Sequence, residues 1–120
     1  MYRYSIIEGE KLARKKFQTL TEQMFYTLLC FRKECCGVDI MKQTREITND
    51  RVIIGPGTLY NLIGQFLDAE LICETSLEGR RISYRITKKG EETLEEEYGR
   101  LKKQMDDFKR IACTEKETCK

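Results

Sequence analysis

The residues best suited to covalent or metal chemistry in this sequence are six cysteines, and they lack the partners that such chemistry usually needs. The 120 residues include no histidine, and no two cysteines have the Cys-x-x-Cys spacing of zinc and redox motifs. Cys35 and Cys36 are adjacent, and adjacent thiols rarely form a disulfide with each other. We therefore interpret the six cysteines as reduced thiols rather than as three disulfides. Cys35 and Cys36 are interpreted as free packing thiols, with a redox switch as the less favoured alternative. The sequence predicts a protein that is not an enzyme and holds no metal or cofactor.

Charge and hydropathy restrict the class of partner. The formal net charge is only +2, so nucleic-acid binding has to be argued from where the charges lie. No apolar run approaches the roughly 18 residues of a membrane span, and the N-terminal residues lack the apolar core of a secretory signal. We expect a cytoplasmic protein with no membrane partner.

The most informative segment is Gly55-Pro56-Gly57, which no helix interior would tolerate, followed by a strongly periodic stretch. This stretch is the third of the predicted helices. At about 100° per residue, one of its arcs is apolar and predicts a buried face made of Leu59, Leu62, Ile63, Phe66 and Leu67. Short polar groups at the exposed start of a helix are able to approach base edges in a DNA groove. The candidate DNA contacts on this helix are Gly57, Thr58, Tyr60, Asn61 and Gln65. The alternatives are that Gly55-Pro56-Gly57 is only a helix start, that Tyr60 belongs to the core, and that Tyr60 and Asn61 are merely solvated.

A β-hairpin follows, predicted from strands at Ile72 to Leu77 and Arg81 to Thr87 around a Glu78-Gly79 turn. Its turn carries Arg80 and Arg81, which we predict to contact phosphates or the minor groove. Keeping the turn soluble is the alternative role for both arginines. Lys42, on the second predicted helix, is a further candidate DNA contact that could equally be only solvated.

Two earlier helices are predicted before these elements. The first begins after Thr21, a good N-cap residue, and ends near Arg32–Lys33. Residues 34–37 are expected to form a short connector. The second helix runs from about Val38 to Thr48, with Val38, Met41 and Ile47 on its inner side.

The last element is a long helix from about Lys88 to Ala112, which would extend about 37 Å. Its apolar residues are spaced in a heptad pattern, and the helix is too long for one small domain to cover. We therefore predict a homodimer held by this helix, although part of the pattern could pack within the chain. The predicted dimerisation residues are Leu94, Tyr98, Leu101, Met105 and Phe108.

The order of elements is that of a winged helix-turn-helix protein, in which the third helix is the recognition helix and the hairpin is the wing. The predicted fold class is mostly α with a small β-hairpin, plus a long C-terminal dimerisation helix. We assign residues 1–87 to a DNA-binding domain with an N-terminal extension, residues 88–112 to the dimerisation helix, and residues 113–120 to a polar tail. No definite structure is predicted for residues 1–18.

Several stretches together resemble the PadR family of bacterial transcriptional regulators: LTEQMFYTLLCF, GVDIMKQT, GPGTLYNLIGQFLDAELI and EGRRISYRITKKG. The resemblance implies a homodimer that binds double-stranded DNA at an inverted repeat and acts as a repressor. It also implies a possible small aromatic or cationic effector near the dimer interface, for which Phe25, Tyr98 and Phe108 are the candidate ligand-binding residues. Gly64 and Gln65 stand where the family commonly has a basic residue. The alternative function is a protein-interaction module without specific DNA binding.

Overall fold

A computed structural model describes residues 19–114 of the chain. Within this part the chain forms four helices and one three-stranded antiparallel sheet. The elements in chain order are α1 (Glu22–Cys30), β1 (Cys35–Cys36), α2 (Gly37–Thr48), α3 (Pro56–Asp68), β2 (Ile72–Glu78), β3 (Arg81–Ile86) and α4 (Lys88–Thr114). This is the winged helix layout that the sequence predicts, with the long C-terminal helix present. The N-terminal extension of residues 1–18 and the last six residues of the predicted tail lie outside the described residues.

The first helix starts as predicted and ends earlier than predicted. The hydroxyl of Thr21 accepts a hydrogen bond from the backbone N–H of Met24 at 3.1 Å, which satisfies a free donor of the first turn. The helix ends at Cys30, and Phe31, Arg32 and Lys33 follow in a turn of isolated backbone hydrogen bonds. The chain can therefore reverse direction and enter β1.

The core lies between the first three helices and the sheet, and Leu94 of the last helix also belongs to it. Its fully buried side chains include Leu28, Phe31, Ile40, Leu59 and Phe66. Burial of several large apolar side chains at one centre is the main stabilising term for a domain of this size. The apolar arc predicted for the third helix is confirmed at four positions, because Leu59, Leu62, Ile63 and Phe66 are buried. It is wrong at its last position, because Leu67 lies at the end of the helix and is 37% exposed.

The predicted inner face of the second helix was partly wrong. Val38 and Ile47 are more than half exposed, while Ile40 and Thr44 are fully buried. The helix is rotated so that Gly37, Ile40 and Thr44 face the core, and Thr44 lies within 3.9 Å of the Cys30 sulfur. The apolar residues of this helix are too few to define its buried face from the sequence. Packing against α1 and α3 therefore decides which face is buried.

The segment predicted as a connector forms a strand. Cys35 and Cys36 pair antiparallel with Tyr84 and Ser83, so the sheet order is β1-β3-β2. The hairpin itself is confirmed, with Glu78 opposite Arg81 and a bulge between Glu74 and Ser76. The sheet therefore joins the wing to the start of α2.

The last helix approaches the rest of the chain closely at its first turn. Thr87 caps it, because its hydroxyl accepts from the N–H of Gly90 at 3.0 Å and donates to the carbonyl of Glu70 at 2.7 Å. Leu94, predicted at the dimer interface, is 6% exposed and belongs to the core of its own chain. The helix continues to Thr114, so it includes two residues that the sequence had assigned to the tail. Within residues 19–114, no helix combines the length and apolar character needed to cross a membrane.

Candidate nucleic-acid interface

The outer face of α3 carries the predicted short polar side chains at its N-terminal end. Pro56 occupies the first helical position, where its missing N–H costs nothing and its fixed φ favours the helix. Gly57, Thr58 and Asn61 are exposed, and Gln65 is half-buried. A close approach to a DNA groove is therefore sterically possible at this end, with hydrogen-bonding groups facing outward. The helix carries no lysine or arginine.

Tyr60 occupies a different position from these outward-facing side chains. It is 54% exposed, yet its ring lies against the start of α2. A Cβ added at Gly37 would stand 3.3 Å from Cε1 of Tyr60 and 3.4 Å from its hydroxyl oxygen, a tight fit. The glycine at position 37 therefore leaves room for the tyrosine, which connects the recognition helix to α2.

The tip of the wing exposes Arg80. Gly79 adopts the left-handed backbone conformation with φ of 63°, which allows the tight turn between β2 and β3. Arg80 is exposed and forms no hydrogen bond or ion pair with any other residue in the described part of the chain. Its guanidinium is therefore free to reach a phosphate or a groove.

Arg81, by contrast, contacts two side chains at the start of α2. Its Nη2 donates to the sulfur of Cys36 at 3.0 Å and lies 4.0 Å from Oδ1 of Asp39. The thiol and the backbone N–H of Cys36 both donate to Oδ2 of Asp39, each at 3.2 Å. The thiol hydrogen bond is the largest cause that lowers the pKa of Asp39, followed by the hydrogen bond from the backbone N–H. Hydrogen bonding to Cys36 is likewise the main reason that the pKa of Arg81 is raised.

An open cleft of about 130 Å³ separates the wing from the helix-turn-helix. It lies between the N-terminal end of α2 and the wing, with Tyr60 of α3 on one wall. Its lining combines Val38, Tyr60, Ile82 and Tyr84 with Arg80 and Arg81. Lys42 is exposed on α2, one turn beyond Asp39. Cationic and hydrogen-bonding groups thus lie together in one region. It comprises the exposed start of α3, the wing tip and the N-terminal end of α2.

Comparison of the sequence with protein families identifies the family of this chain. Residues 27–96 match the transcriptional regulator PadR-like family, which is more than half of the chain. The chain belongs to the PadR-like family of transcriptional regulators. No curated protein sequence matches the chain.

Solved structures similar to this PadR-like regulator share its fold. A PadR family transcriptional regulator from Eggerthella lenta is 20% identical with a TM-score of 0.66, over 95% of each chain. A PadR-like transcription factor from Bacteroides fragilis is 23% identical with a TM-score of 0.63, over 87% of this chain and 97% of the other. A transcriptional regulator from Clostridium thermocellum is 21% identical with a TM-score of 0.55, over 82% and 93%. These proteins and the family are regulators, not enzymes.

From Tyr98 onward, α4 of the PadR-like regulator presents an apolar stripe to the outside. Tyr98 and Met105 are each 60% exposed and Phe108 is 73% exposed, while Leu101 is partly buried. Ile111, which the sequence analysis did not single out, extends the stripe with 45% exposure. Four large apolar side chains on one exposed helix form a surface of the kind that marks a protein contact.

The three predicted effector-binding residues of the PadR-like regulator lie in different environments. Phe25 is half-buried on α1, where its ring meets that of Tyr26 edge-on with centroids 5.5 Å apart. Tyr98 and Phe108 stand on the exposed stripe of α4. The single chain therefore offers one packed and two exposed aromatic side chains at these positions.

Sequence reasoning missed Cys36 and Asp39 as neighbours of the wing. Cys36 had been interpreted as a packing thiol, and Asp39 was not singled out as a functional residue. The one usable signal was that Asp39 stands three residues after Cys36, the spacing at which a side chain reaches back to the start of its helix. The pairing of β1 with β3, which brings Arg81 to the same place, has no local sequence signal.

Proposed function

We propose that this chain is a homodimeric transcriptional repressor that binds an inverted-repeat DNA sequence through α3 and the wing. The observation that carries the proposal is the exposed N-terminal end of α3, where small and polar side chains face outward beside a free wing arginine. Helix-turn-helix proteins place this end of the recognition helix in the major groove. Two recognition helices related by a two-fold axis would match two half-sites of a palindrome.

The candidate residues divide into reading and positioning groups. Thr58 and Asn61 are the best placed for base edges, with Gln65 further along the same helix and Gly57 allowing close approach. Arg80, Arg81 and Lys42 have long cationic side chains suited to phosphates, and Tyr60 lies between the two groups. Base contacts discriminate between sequences, whereas phosphate contacts supply affinity that depends on salt.

Fluorescence anisotropy on duplexes from the protein's own upstream region tests the proposal, with a random duplex and a salt series. Asn61→Ala should reduce discrimination between operator and random DNA by about 1–3 kcal/mol and leave the salt slope unchanged. The double variant Arg80→Ala with Arg81→Ala should weaken binding to both duplexes and flatten the slope by about 0.9 per lost phosphate contact. Arg110→Ala, far along α4, removes the same kind of charge and controls for bulk electrostatics.

A wing double variant that binds both duplexes like wild type would show that the wing makes no DNA contact. A wild-type protein without preference for any DNA from its own locus would favour a second function, a protein-interaction module. That alternative has one supporting observation, the absence of lysine and arginine from the recognition helix. The exposed arginine at the wing tip favours DNA.

Dimerisation through the apolar stripe of α4 is part of the proposal. Tyr98, Met105 and Phe108 are exposed in the single chain, and a second copy would bury them. Met105→Glu with Phe108→Glu should give a folded monomer in sedimentation, because both side chains lie outside the core of the chain. Lys103→Glu, at an exposed position on the same helix, is the control for added negative charge. A dimer that persists in the double variant would remove these residues from the interface.

We also propose that a small aromatic or cationic effector binds near Phe25, Tyr98 and Phe108 and releases the protein from DNA. The support is the presence of aromatic side chains near the surface that a second copy would enclose, and the preference of ligands for apolar clefts. A screen of planar aromatic and cationic compounds for loss of anisotropy tests it. Retention of DNA across the screen would indicate a regulator without such an effector.

A further inference from the structure

We propose that Cys36 and Asp39 are positioning residues that hold the wing through Arg81, so that Arg80 is the wing arginine left to contact DNA. The proposal rests on the DNA-binding function proposed above. We call the group formed by Cys36, Asp39 and Arg81 the wing contact. In the sequence Arg80 and Arg81 are equivalent neighbours on one turn, but in the structure only Arg81 has partners among residues 19–114.

The wing contact joins three elements at one residue. Cys36 is the last residue of β1, pairs with Ser83 of β3, and is also the N-cap residue of α2. Its thiol donates to Asp39 while its sulfur accepts from Arg81 at 3.0 Å. Arg81 starts β3, two residues before Ser83, and its guanidinium is also within 4.0 Å of the Asp39 carboxylate. The thiol therefore stands between the two charged groups, and one side chain of the wing reaches the first turn of α2.

The same end of α2 also supports the recognition helix. Tyr60 of α3 lies against Gly37, the residue directly after Cys36. The wing and the recognition helix thus both contact the N-terminal end of α2, on either side of the cleft of about 130 Å³. Holding the wing there sets its distance from α3 before DNA arrives.

Such a contact is useful because a short hairpin tip is mobile on its own. Ordering the wing in the free protein reduces the conformational entropy that DNA binding would otherwise have to remove. The side chain of Arg81 is 66% exposed, so each single contact is weak, and the pairing of β1 with β3 supports the group. Arg80 has no partner among residues 19–114, which leaves it available for a phosphate.

The first arm of the test measures the wing in the free, full-length protein by ¹⁵N relaxation of the amides of residues 78–81. Cys36→Ala should lower their heteronuclear NOE, and Cys36→Ser, which keeps a donor and an acceptor, should restore it. Asp39→Asn should also lower it, because the amide keeps an acceptor for the Cys36 N–H but loses the charge near Arg81. Asp50→Asn is the matched control, since it removes a carboxylate paired with Arg45 at the other end of α2. Unchanged wing amides in Cys36→Ala and Asp39→Asn would overturn the proposal.

The second arm measures DNA affinity of the same variants by anisotropy across a salt series. Cys36→Ala changes no charge, so the salt slope should stay as in wild type. DNA binding should weaken about threefold to tenfold, which is the range for one net hydrogen bond. Arg80→Ala should instead flatten the slope by about 0.9 and leave the wing amides of the free protein as in wild type. A mobile wing in Cys36→Ala with unchanged DNA affinity would overturn the positioning role. If the wild-type protein binds no DNA, the DNA-binding proposal fails, whereas increased mobility in Cys36→Ala would still support the wing contact.

Discussion

Gly90, in the first turn of α4, lies where the helix meets the loop that follows α3. A Cβ at this position would lie 2.6 Å from Cγ1 of Ile86 and closer still to the carbonyl oxygen of Leu71. That oxygen accepts the backbone N–H of Thr87 at 2.9 Å, the residue that caps the helix. Gly90→Ala should therefore push α4 away from Leu71 and disturb the cap.

The size of the effect follows from opposing terms. Alanine favours a helix over glycine by about 1 kcal/mol. Overpacking against a backbone atom costs about 1–3 kcal/mol, and a weakened cap and hydrogen bond to Leu71 add about 1 kcal/mol each. The expected net loss is about 2–4 kcal/mol of unfolding free energy. Gly99 is the matched control on the same helix, because nothing lies within 4 Å of a Cβ there. Gly99→Ala should stabilise by about 0.5–1 kcal/mol.

Urea denaturation of both variants and wild type, at one chain concentration, measures the difference, since the stability of a dimer depends on concentration. The two substitutions should move the midpoint in opposite directions. A Gly90→Ala protein as stable as wild type would refute the reasoning, because the contact with Leu71 could then relax without cost.

Two further predictions concern ionisable groups. The Cys36 thiol and N–H hold the pKa of Asp39 below its ordinary value, so its charge stabilises the fold above about pH 4 and this stability is lost as the pH falls through the folded-state pKa. Asp39→Asn should therefore destabilise more at pH 7 than at pH 3 in urea denaturation, and an equal loss at both would contradict the assignment. Burial raises the pKa of Cys35 to about 12. Iodoacetamide at pH 8 should therefore alkylate the exposed Cys73 well before Cys35, as read by mass spectrometry, and equal rates would contradict this burial.

The recognition helix and the hairpin could be predicted from the sequence because their signals are local. Gly55-Pro56-Gly57 excludes a helix interior but suits a helix start, and the apolar spacing from Leu59 to Phe66 matches one helical face. Alternation of Ile82, Tyr84 and Ile86 with polar residues requires a strand with one buried side. Gly79 then supplies the positive φ of the turn. Backbone geometry and neighbouring side chains suffice for each of these elements.

The DNA-facing candidates were only partly predictable. Exposure of Thr58 and Asn61 follows from the helical period, once the buried arc is known. The contrast between Arg81, which has partners, and Arg80, which has none among residues 19–114, does not follow, because adjacent residues on a turn carry the same local signal. Only the path of β1 beside β3 brings Cys36 within reach of one arginine and leaves the other free.

The sequence by itself determined the order and type of the main elements, the winged helix arrangement and the apolar character of the last helix. Tertiary structure decided which face of α2 is buried, which part of α4 packs on the chain and which strand pairs with β3. It exposed Val38, placed Leu94 in the core, and turned Cys35 and Cys36 into a strand. The physical reason is that periodicity is a property of consecutive residues, whereas burial and strand pairing depend on residues distant in the chain. A two-residue strand has no period to detect, and its existence depends on the partner that lies beside it.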